Sequence, residues 1–260
     1  MDSERYDILE YAAGRFSKTS VEAIREVPLT IRLNGREVVT LLCTGKHPEY
    51  LAVGFLKSDA FLSSPEQITD LEVREEDGRL LADVETCHDP WENRLMERSI
   101  TSGCGKGTNF GRNVQTISRR WLHGNVRVRP AQLLALVEEL HQRSDLYGRT
   151  RGCHNSSLCV PDEMLLFRED IGRHNAIDML CGECFLNNIS VEDKMIVTTG
   201  RVASEILLKV VRIGIPVLVS TAVATSFTVE LARQTGITLV GNVRDGRFRV
   251  YNDQGRILES

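Results

Sequence analysis

The chain has 260 residues, of which 42% are hydrophobic, enough to bury the core of one large domain or two closely packed ones. The formal charge is −4 and no block of like charge exceeds a few residues, which argues against a non-specific nucleic-acid or membrane surface. No apolar run approaches the roughly 20 residues of a membrane span, and the amino terminus lacks a signal-peptide core, so we expect a cytoplasmic protein. Seven cysteines, an odd number, predict reduced thiols and no disulfide framework.

The first part of the chain predicts an arm over residues 1–25, where periodicity is weak, and a small α+β domain over residues 26–126. Pro48 stands at a plausible first position of a helix. Two turn signals between alternating apolar residues predict β-hairpins: Asn34-Gly35 and Asp77-Gly78.

Residues 87–113 have little regular pattern and are rich in Gly, Ser, Thr and Asn, which predicts a functional loop carrying Cys104. Gly103 and Gly105 leave the sulfur open, and the ammonium of Lys106 favours the thiolate, the form that attacks another sulfur. On these residues alone, a structural role for Cys104 stays equally open.

The other cysteines favour ordinary roles. Cys181 and Cys184 form a C-x-x-C inside an amphipathic helical pattern, where core packing is a better explanation than redox or metal chemistry. Cys153 is a weak candidate for a second thiol, which we treat as a bystander. We predict structural roles for the remaining three: Cys43, Cys87 and Cys159.

From a boundary near residues 124–130, the chain alternates between strand and helix, which predicts an α/β layered sheet in a domain over residues 127–260. The predicted elements are a strand over Met195–Thr199, a helix over Glu205–Ile213 closed by Gly214, a strand over Ile215–Ser220, a helix over Ser226–Gln234 closed by Gly236, and a strand over Ile237–Val243. In such a sheet the ligand-binding loops gather at one edge.

Residues 168–178 combine acids, arginines, a histidine and an amide at a crossing from strand to helix. Free backbone N–H groups at a helix amino end bind anions, so this crossing predicts a polar ligand site. His174 and His154 are candidates for proton transfer, and a structural role is equally open for each. Asp170 is a candidate acceptor for ligand N–H groups, with a capping or salt-bridge role as the alternative.

Taken together, these motifs resemble the formate dehydrogenase accessory sulfurtransferase family, FdhD, over roughly residues 25–252. The pieces that carry the resemblance are Arg-Glu-Asp-Ile-Gly-Arg-His-Asn-Ala at 168–176, Thr-Ser-Gly-Cys-Gly at 101–105, Gly152 with His154, Thr199-Gly200-Arg201, and the ending from Leu239 through Arg244, Gly246 and Arg247 to Tyr251.

The resemblance implies a carboxyl-terminal half similar in fold to the cytidine deaminases, a homodimer, and a cysteine desulfurase that loads Cys104 with persulfide sulfur. It further implies that this sulfur is delivered to a molybdenum cofactor bearing two pterin guanine dinucleotides (bis-molybdopterin guanine dinucleotide) for formate dehydrogenase, with guanosine diphosphate as a partial mimic. The cofactor-binding residues that the resemblance implies are His154, Asp170, Arg173, His174, Thr199, Gly200, Arg201, Asn242, Val243, Arg244, Asp245, Gly246 and Arg247. Arginine suits the diphosphate arms because its guanidinium pairs two phosphate oxygens at once.

Two departures from the family pattern bear on function. Gly107 stands where relatives usually carry a second loop cysteine, so an internal disulfide cannot expel the sulfur. Either Cys104 alone passes its sulfur on, which we favour, or the chain is a cofactor-binding chaperone without sulfur transfer. Asn242 stands where an aromatic residue is expected, which weakens a stacking argument. A zinc deaminase is a third hypothesis, because His47-Pro48-Glu49 and the C-x-x-C imitate its motifs, but these pieces lie far apart in the chain and we expect no metal site.

Overall fold

The computed structural model describes residues 2–89, 98–100, 106–108 and 121–259. Cys104 and most of the loop predicted around it lie outside the described residues. Two short strands flank residues 101–105: β7, Arg98–Ile100, pairs antiparallel with β8, Lys106–Thr108. Within the described part, the chain is a mixed α/β structure with six α-helices and four sheets.

The predicted arm forms a β-hairpin, in which β1, Ser3–Ala12, pairs antiparallel with β2, Arg15–Ile24. Its turn residues are Ala13-Gly14, which are not the usual Asn-Gly or Asp-Gly. Exposed apolar side chains occupy both faces and so remove the alternation that predicts a strand: Tyr6, Ile8 and Val21 on one face, and Leu9, Tyr11 and Phe16 on the other. The sequence therefore predicted where the arm lies in the chain but not that it forms two strands.

A four-stranded sheet follows, in the spatial order β4-β3-β6-β5. Its strands are β3 Val27–Leu33, β4 Arg36–Cys43, β5 Ile68–Glu76 and β6 Arg79–Thr86. Both predicted hairpins are confirmed, and their four turn residues have φ between 48° and 75°. The predicted helix is also confirmed as α1, Pro48–Ser58, which packs Leu51 and Leu56 onto this sheet.

A six-stranded sheet has the order β10-β9-β11-β12-β13-β14. Its strands are β9 His154–Val160, β10 Glu163–Asp170, β11 Met195–Thr198, β12 Val217–Ser220, β13 Thr238–Arg244 and β14 Arg247–Asn252. The helices are α2 Pro130–Arg143, α3 Asp145–Thr150, α4 Arg173–Leu186, α5 Ser204–Ile213 and α6 Ser226–Thr235. The strands β11, β12 and β13 are parallel, and β9 is antiparallel to both of its neighbours.

Helices cover both faces of this sheet. One face packs against α4, α5 and α6 around residues such as Leu207, and the other packs against α2 around residues such as Leu140. The helices α5 and α6 end at the predicted Gly214 and Gly236, whose φ values of 105° and 67° favour glycine. The α/β fold is therefore confirmed. None of the helices in the described ranges is long and apolar enough to cross a membrane.

Leu122 and Val126 pack into the cores on the two faces of the six-stranded sheet, and the Leu122 N–H donates to the Thr235 carbonyl at 2.8 Å. The carboxyl-terminal unit thus begins at or before Leu122.

The two halves of the chain meet where α1 crosses α4, with the two helix backbones in direct contact. A Cβ on Gly54 would lie 1.7 Å from the Asp178 carbonyl oxygen, and a Cβ on Gly182 would lie 1.9 Å from the Tyr50 carbonyl oxygen. No other residue type permits this approach, because every other one carries a Cβ. The ten consecutive residues from Asn175 to Cys184 are all buried, since α4 lies between α1 and the sheet.

A buried ion pair lies beside this crossing. Lys209 Nζ donates to both carboxylate oxygens of Asp178 at 2.7 and 2.6 Å, and Ser58 Oγ donates to Asp178 Oδ1 at 2.7 Å. Burial disfavours the ammonium, but the carboxylates of Asp178 and Asp59 more than offset this and raise the pKa of Lys209. We call the region formed by Gly54, Ser58, Asp178, Gly182 and Lys209 the helix junction.

Candidate functional site

The six strands of the larger sheet meet at one edge, where β14 begins with Arg247 opposite Arg244. β10 ends there with Asp170 opposite His154, the first residue of β9. The parallel strands β11, β12 and β13 also end there, because Thr198 of β11 lies opposite Ser156 of β9. We call this region the carboxyl edge; it is formed by His154 and residues 170–174, 199–203, 221–225 and 241–247.

Backbone hydrogen bonds join the loops of the carboxyl edge in sequence. Thr221 N donates to the Thr198 carbonyl at 3.0 Å, Val202 N donates to the Val223 carbonyl at 3.1 Å, and Asn242 N donates to the Ala222 carbonyl at 2.8 Å. The loops after the three parallel strands are therefore fixed relative to one another. The structure thus brings all the predicted cofactor-binding residues to one edge.

His154 and Thr199 lie at the β9–β11 end of this edge. Thr199 Oγ1 accepts a hydrogen bond from Asn155 N at 3.0 Å and lies 3.5 Å from His154 Nδ1. Burial and the charge of Arg173 lower the pKa of His154, so its imidazole is neutral at pH 7. His154 can therefore accept a proton or a hydrogen bond from a ligand.

Arg173 is the first residue of α4, and its side chain crosses Gly200. A Cβ on Gly200 would lie 2.8 Å from Arg173 Cβ and 3.0 Å from its Cδ, so the glycine makes room for the arginine. Among the described residues, the buried Arg173 Nε has no hydrogen-bond partner. A cation at a helix amino end, together with the free N–H groups there, favours an anion at this point.

His174, the next residue, is a neutral imidazole. Burial is the main reason that its pKa falls to about 3, and the charges of Lys209, Arg173 and His154 lower it further. His174 is thus not a cation of the site at any physiological pH.

Asp170 is fully buried, and both of its carboxylate oxygens accept hydrogen bonds from the chain itself. Oδ1 accepts from Gly172 N at 2.9 Å and Asn175 Nδ2 at 2.7 Å, and Oδ2 accepts from Thr44 N at 2.8 Å and Thr44 Oγ1 at 3.0 Å. Burial raises the pKa of Asp170 in spite of these donors. The geometry favours the capping alternative over guanine recognition, since Asp170 ties the amino-terminal half of the chain to the start of α4.

The predicted stretch 242–247 forms the tip of the β13–β14 hairpin. A register irregularity between Gly241 and Arg244 accommodates Asn242, whose φ is 55°, and Asp245-Gly246 makes the turn. Val243 is the exception among the six, because its side chain is buried in the core on the α2 face. Only the backbone of Val243 can therefore face a ligand.

Arg201, Arg244 and Arg247 are exposed at this edge, and none forms an ion pair with another residue of the described ranges. Other arginines of the chain are paired: Arg168 with Glu183, and Arg149 with both Glu22 and Asp2. The edge thus presents uncompensated guanidinium groups to solvent, as an anion-binding surface requires. A further exposed arginine, Arg249, follows on β14 and was not predicted from the sequence, although its i+2 spacing from Arg247 places both on one face of a strand.

The described cysteines divide by burial. Five of the six are buried, and burial raises the pKa of Cys153 to about 11 and that of Cys43, Cys159 and Cys184 to about 12. Cys181 and Cys184 are residues of α4 and pack into the core, as predicted. Cys87 was predicted to be structural, but its side chain is exposed because it follows the end of β6.

Comparison with known proteins finds relatives that match this chain along nearly the whole length of both sequences. The model of the FdhD/NarQ family matches residues 24–258. The "Sulfur carrier protein FdhD" of Bacillus subtilis (strain 168) is 38% identical over 253 residues, which cover 97% of each chain. The protein of the same name from Geobacillus kaustophilus is 36% identical over 256 residues, covering 98% of this chain and 97% of that one.

A solved structure shares the fold. The crystal structure of a "putative formate dehydrogenase accessory protein" from Desulfotalea psychrophila matches with a TM-score of 0.81 and covers 98% of this chain and 99% of that one. The two sequences are 24% identical, so this likeness concerns the fold alone.

Proposed function

Since the chain belongs to the FdhD/NarQ family, we propose that it accepts sulfur from a cysteine desulfurase as a persulfide on Cys104 and delivers it to the molybdenum cofactor of a formate dehydrogenase. The observation that carries the proposal is that the chain has both Cys104, in the family's cysteine motif, and a carboxyl edge whose arginines are open to an anion. Relatives along nearly the whole chain are called sulfur carriers, which supports the same assignment.

The chemistry of the other cysteines supports Cys104 as the carrier. Sulfur transfer needs a thiolate, and a thiol whose pKa is near 11 or 12 is almost entirely protonated at neutral pH. The five buried cysteines are therefore poor nucleophiles. Cys104 is flanked by Gly103 and Gly105 and followed by Lys106, a composition that favours an accessible thiolate.

The proposed loading step conserves electrons. The Cys104 thiolate attacks the terminal sulfur of the desulfurase persulfide, a new S–S bond forms on Cys104, and the desulfurase cysteine leaves as a thiolate. Cys104 then holds the transferable sulfur as its own persulfide. No oxidant or second cysteine is needed for this step, which is consistent with Gly107 in the second position of the loop.

The molybdenum cofactor is the substrate of the second step. Its two guanosine diphosphate arms are anionic, and Arg173, Arg201, Arg244 and Arg247 provide guanidinium groups for them at one edge. The neutral imidazole of His154 supplies a further polar contact. Guanosine diphosphate is accordingly the simplest soluble probe of this site.

We also infer a homodimer in the cytoplasm and a cytidine-deaminase-like arrangement of the carboxyl-terminal half. The mixed six-stranded sheet with helices on both faces supports this arrangement. Size-exclusion chromatography with light scattering tests the dimer directly, and a monomer at micromolar concentration would remove that inference.

The alternative function is a chaperone that binds the cofactor without transferring sulfur. Gly107 is the observation that favours it, because a loop with a single cysteine cannot release sulfur by closing a disulfide. The two functions differ in one covalent product, a persulfide on Cys104.

The deciding experiment incubates the full chain with a cysteine desulfurase and cysteine, and then measures by peptide mass spectrometry whether Cys104 gains one sulfur atom. We expect the gain on Cys104, its loss in Cys104→Ala, and no effect of Cys87→Ala, the matched variant at an exposed cysteine. In cells that lack this factor, Cys104→Ala should fail to restore formate dehydrogenase activity, whereas Cys87→Ala and Cys153→Ala should restore it. Full complementation by Cys104→Ala would leave the chaperone function in its place.

A further inference from the structure

Three exposed arginines lie on one face of the β13–β14 hairpin. Arg244 lies directly opposite Arg247 in the strand register, so their side chains point to the same side of the sheet. Arg249 follows Arg247 by two residues on the same strand and therefore shares this face. We call Arg244, Arg247 and Arg249 the arginine face; all three are exposed.

The arginine face is electrostatically unfavourable by itself. Like charges directly opposite each other on paired strands destabilise the pairing, and Arg244 and Arg247 are in that position. None of the three forms an ion pair within the described residues, although the chain has 36 acidic residues and pairs another exposed arginine, Arg233, with Glu230. A bound polyanion would relieve this repulsion.

Arg249 has no charged residue opposite it on β13. Its register partner is Gly241, where a Cβ would lie 2.9 Å from both the Ala222 carbonyl oxygen and the Tyr251 ring. The Tyr251 ring and the Ala222 carbonyl therefore occupy the space above Gly241, and no charged group of the described residues lies there. Residues two apart on a strand are separated by about 6.6 Å, and the long side chains of Arg247 and Arg249 span this distance, so their guanidinium groups can reach adjacent phosphates.

We propose that Arg249 binds the second phosphate of a nucleoside diphosphate whose first phosphate is held by Arg244 and Arg247. This inference rests on the proposed function, because it takes the guanosine diphosphate arm of the cofactor as the ligand of the carboxyl edge. It adds a specificity: the arginine face distinguishes a diphosphate from a monophosphate, and Arg249 is the residue that does so.

The test measures the affinity of the full chain for guanosine diphosphate, guanosine monophosphate and inorganic pyrophosphate by isothermal titration calorimetry. Arg249→Ala should weaken guanosine diphosphate binding about tenfold, the change that corresponds to about 1.4 kcal/mol, and should change guanosine monophosphate binding less than about twofold. Arg249→Lys keeps the charge and should recover part of the loss. Arg233→Ala removes an exposed arginine from the far end of α6 and should change neither affinity.

The titration with pyrophosphate shows whether the site recognises the diphosphate group alone or the whole nucleotide. Pyrophosphate that binds as tightly as guanosine diphosphate would mean that the arginine face recognises the diphosphate group alone, and weaker pyrophosphate binding would mean that the nucleoside contributes as well. Both outcomes require that Arg249→Ala weakens the diphosphate ligand selectively.

Equal losses for the mono- and diphosphate in Arg249→Ala, or no loss for either, would overturn the inference. If Arg247→Ala nevertheless weakens guanosine diphosphate, the proposed function stands and only the role of Arg249 is lost. If the unmodified chain binds neither nucleotide, the nucleotide site of the proposed function fails, and this inference fails with it.

Discussion

At the helix junction, Lys209 and Asp178 are buried and pair with each other, whereas at the carboxyl edge Arg201 and Arg247 are exposed and form no ion pair within the described residues. The two regions share one helix, since α4 carries Arg173 at the edge and Asp178 one turn further along at the junction. At the junction, the Asp178 carboxylate is paired with Lys209 within the carboxyl-terminal half and accepts a hydrogen bond from Ser58 of the other half. The arginines at the edge are free to hold a ligand.

This difference shows that residue type alone does not identify a ligand site in this chain. Asp170 lies at the carboxyl edge, but its carboxylate is not open to a ligand. Like Asp178 at the junction, it is buried and accepts hydrogen bonds from the chain itself, here from four donors. A substitution at the junction should therefore change the free energy of unfolding, and a substitution among the open arginines should change chiefly the ligand affinity.

The largest expected effect is that of Lys209→Met. The variant leaves the Asp178 carboxylate buried without its cation, and breaking such a buried pair destabilises proteins by about 3–5 kcal/mol. Urea unfolding followed by circular dichroism measures the change. The double variant Asp178→Asn/Lys209→Met should recover most of the lost stability, since it removes the uncompensated charge.

Arg233→Met is the control at the surface. Arg233 pairs with Glu230, both side chains are exposed, and solvent-exposed pairs contribute about 0–1 kcal/mol. A cost for Lys209→Met no greater than that of Arg233→Met would mean that the buried Asp178–Lys209 pair does not stabilise the junction.

The next effect is on ligand binding at the edge. Arg201→Ala and Arg247→Ala should each weaken guanosine diphosphate binding by about 1.5–3 kcal/mol, the range for charge-assisted hydrogen bonds. The unfolding midpoint should stay unchanged in Arg201→Ala, whose side chain is exposed, and should rise slightly in Arg247→Ala, which removes the repulsion with Arg244. Calorimetric titration of the full chain measures the affinity, and an unchanged affinity in both variants would remove the arginines from the site.

Gly182→Ala at the helix crossing should destabilise the chain by about 1–3 kcal/mol, the usual cost of overpacking. The added Cβ would lie 1.9 Å from the Tyr50 carbonyl oxygen, so α1 and α4 must move apart. Gly148→Ala in α3 is the control, because no heavy atom lies within 4 Å of its Cβ position and alanine favours a helix. If the two variants have equal unfolding midpoints, the close helix contact contributes nothing to stability.

The sequence predicted the features of this fold that depend on local signals. The turns at Asn34-Gly35 and Asp77-Gly78 and the ends of α5 and α6 were found, because glycine and asparagine or aspartate favour positive φ at those positions. The positions of the arginines at strand ends followed from the alternation of strand and helix.

The remainder depends on contacts between residues far apart in the chain. Nothing in the local sequence distinguishes Gly54 or Gly182 from other helical glycines, and the four donors to Asp170 include Thr44 from the other half of the protein. The terminal hairpin β1–β2 was missed for a different reason: apolar residues on both of its faces erase the alternation on which strand prediction relies.

The smallest effect concerns His174, which lies on α4 between the two regions. Burial, followed by the charges of Lys209, Arg173 and His154, lowers the pKa of His174 to about 3, whereas an ordinary histidine in the unfolded chain titrates near 6.5. Between these values the unfolded chain binds a proton that the folded chain does not. Stability is therefore complete above about pH 6.5 and falls as the pH is lowered toward 3, with a slope of up to about 1.4 kcal/mol per pH unit from this residue.

His174→Asn should flatten that slope, because asparagine does not titrate. Urea unfolding between about pH 7 and pH 4.5 measures it, with His141→Asn on the exposed side of α2 as the control. The His174 variant should lose less stability than the parent chain on acidification, and some slope should remain because burial also lowers the pKa of His154. Identical slopes in the parent chain and both variants would mean that His174 is protonated in the folded chain, so that it adds a positive charge to the carboxyl edge instead of a neutral imidazole.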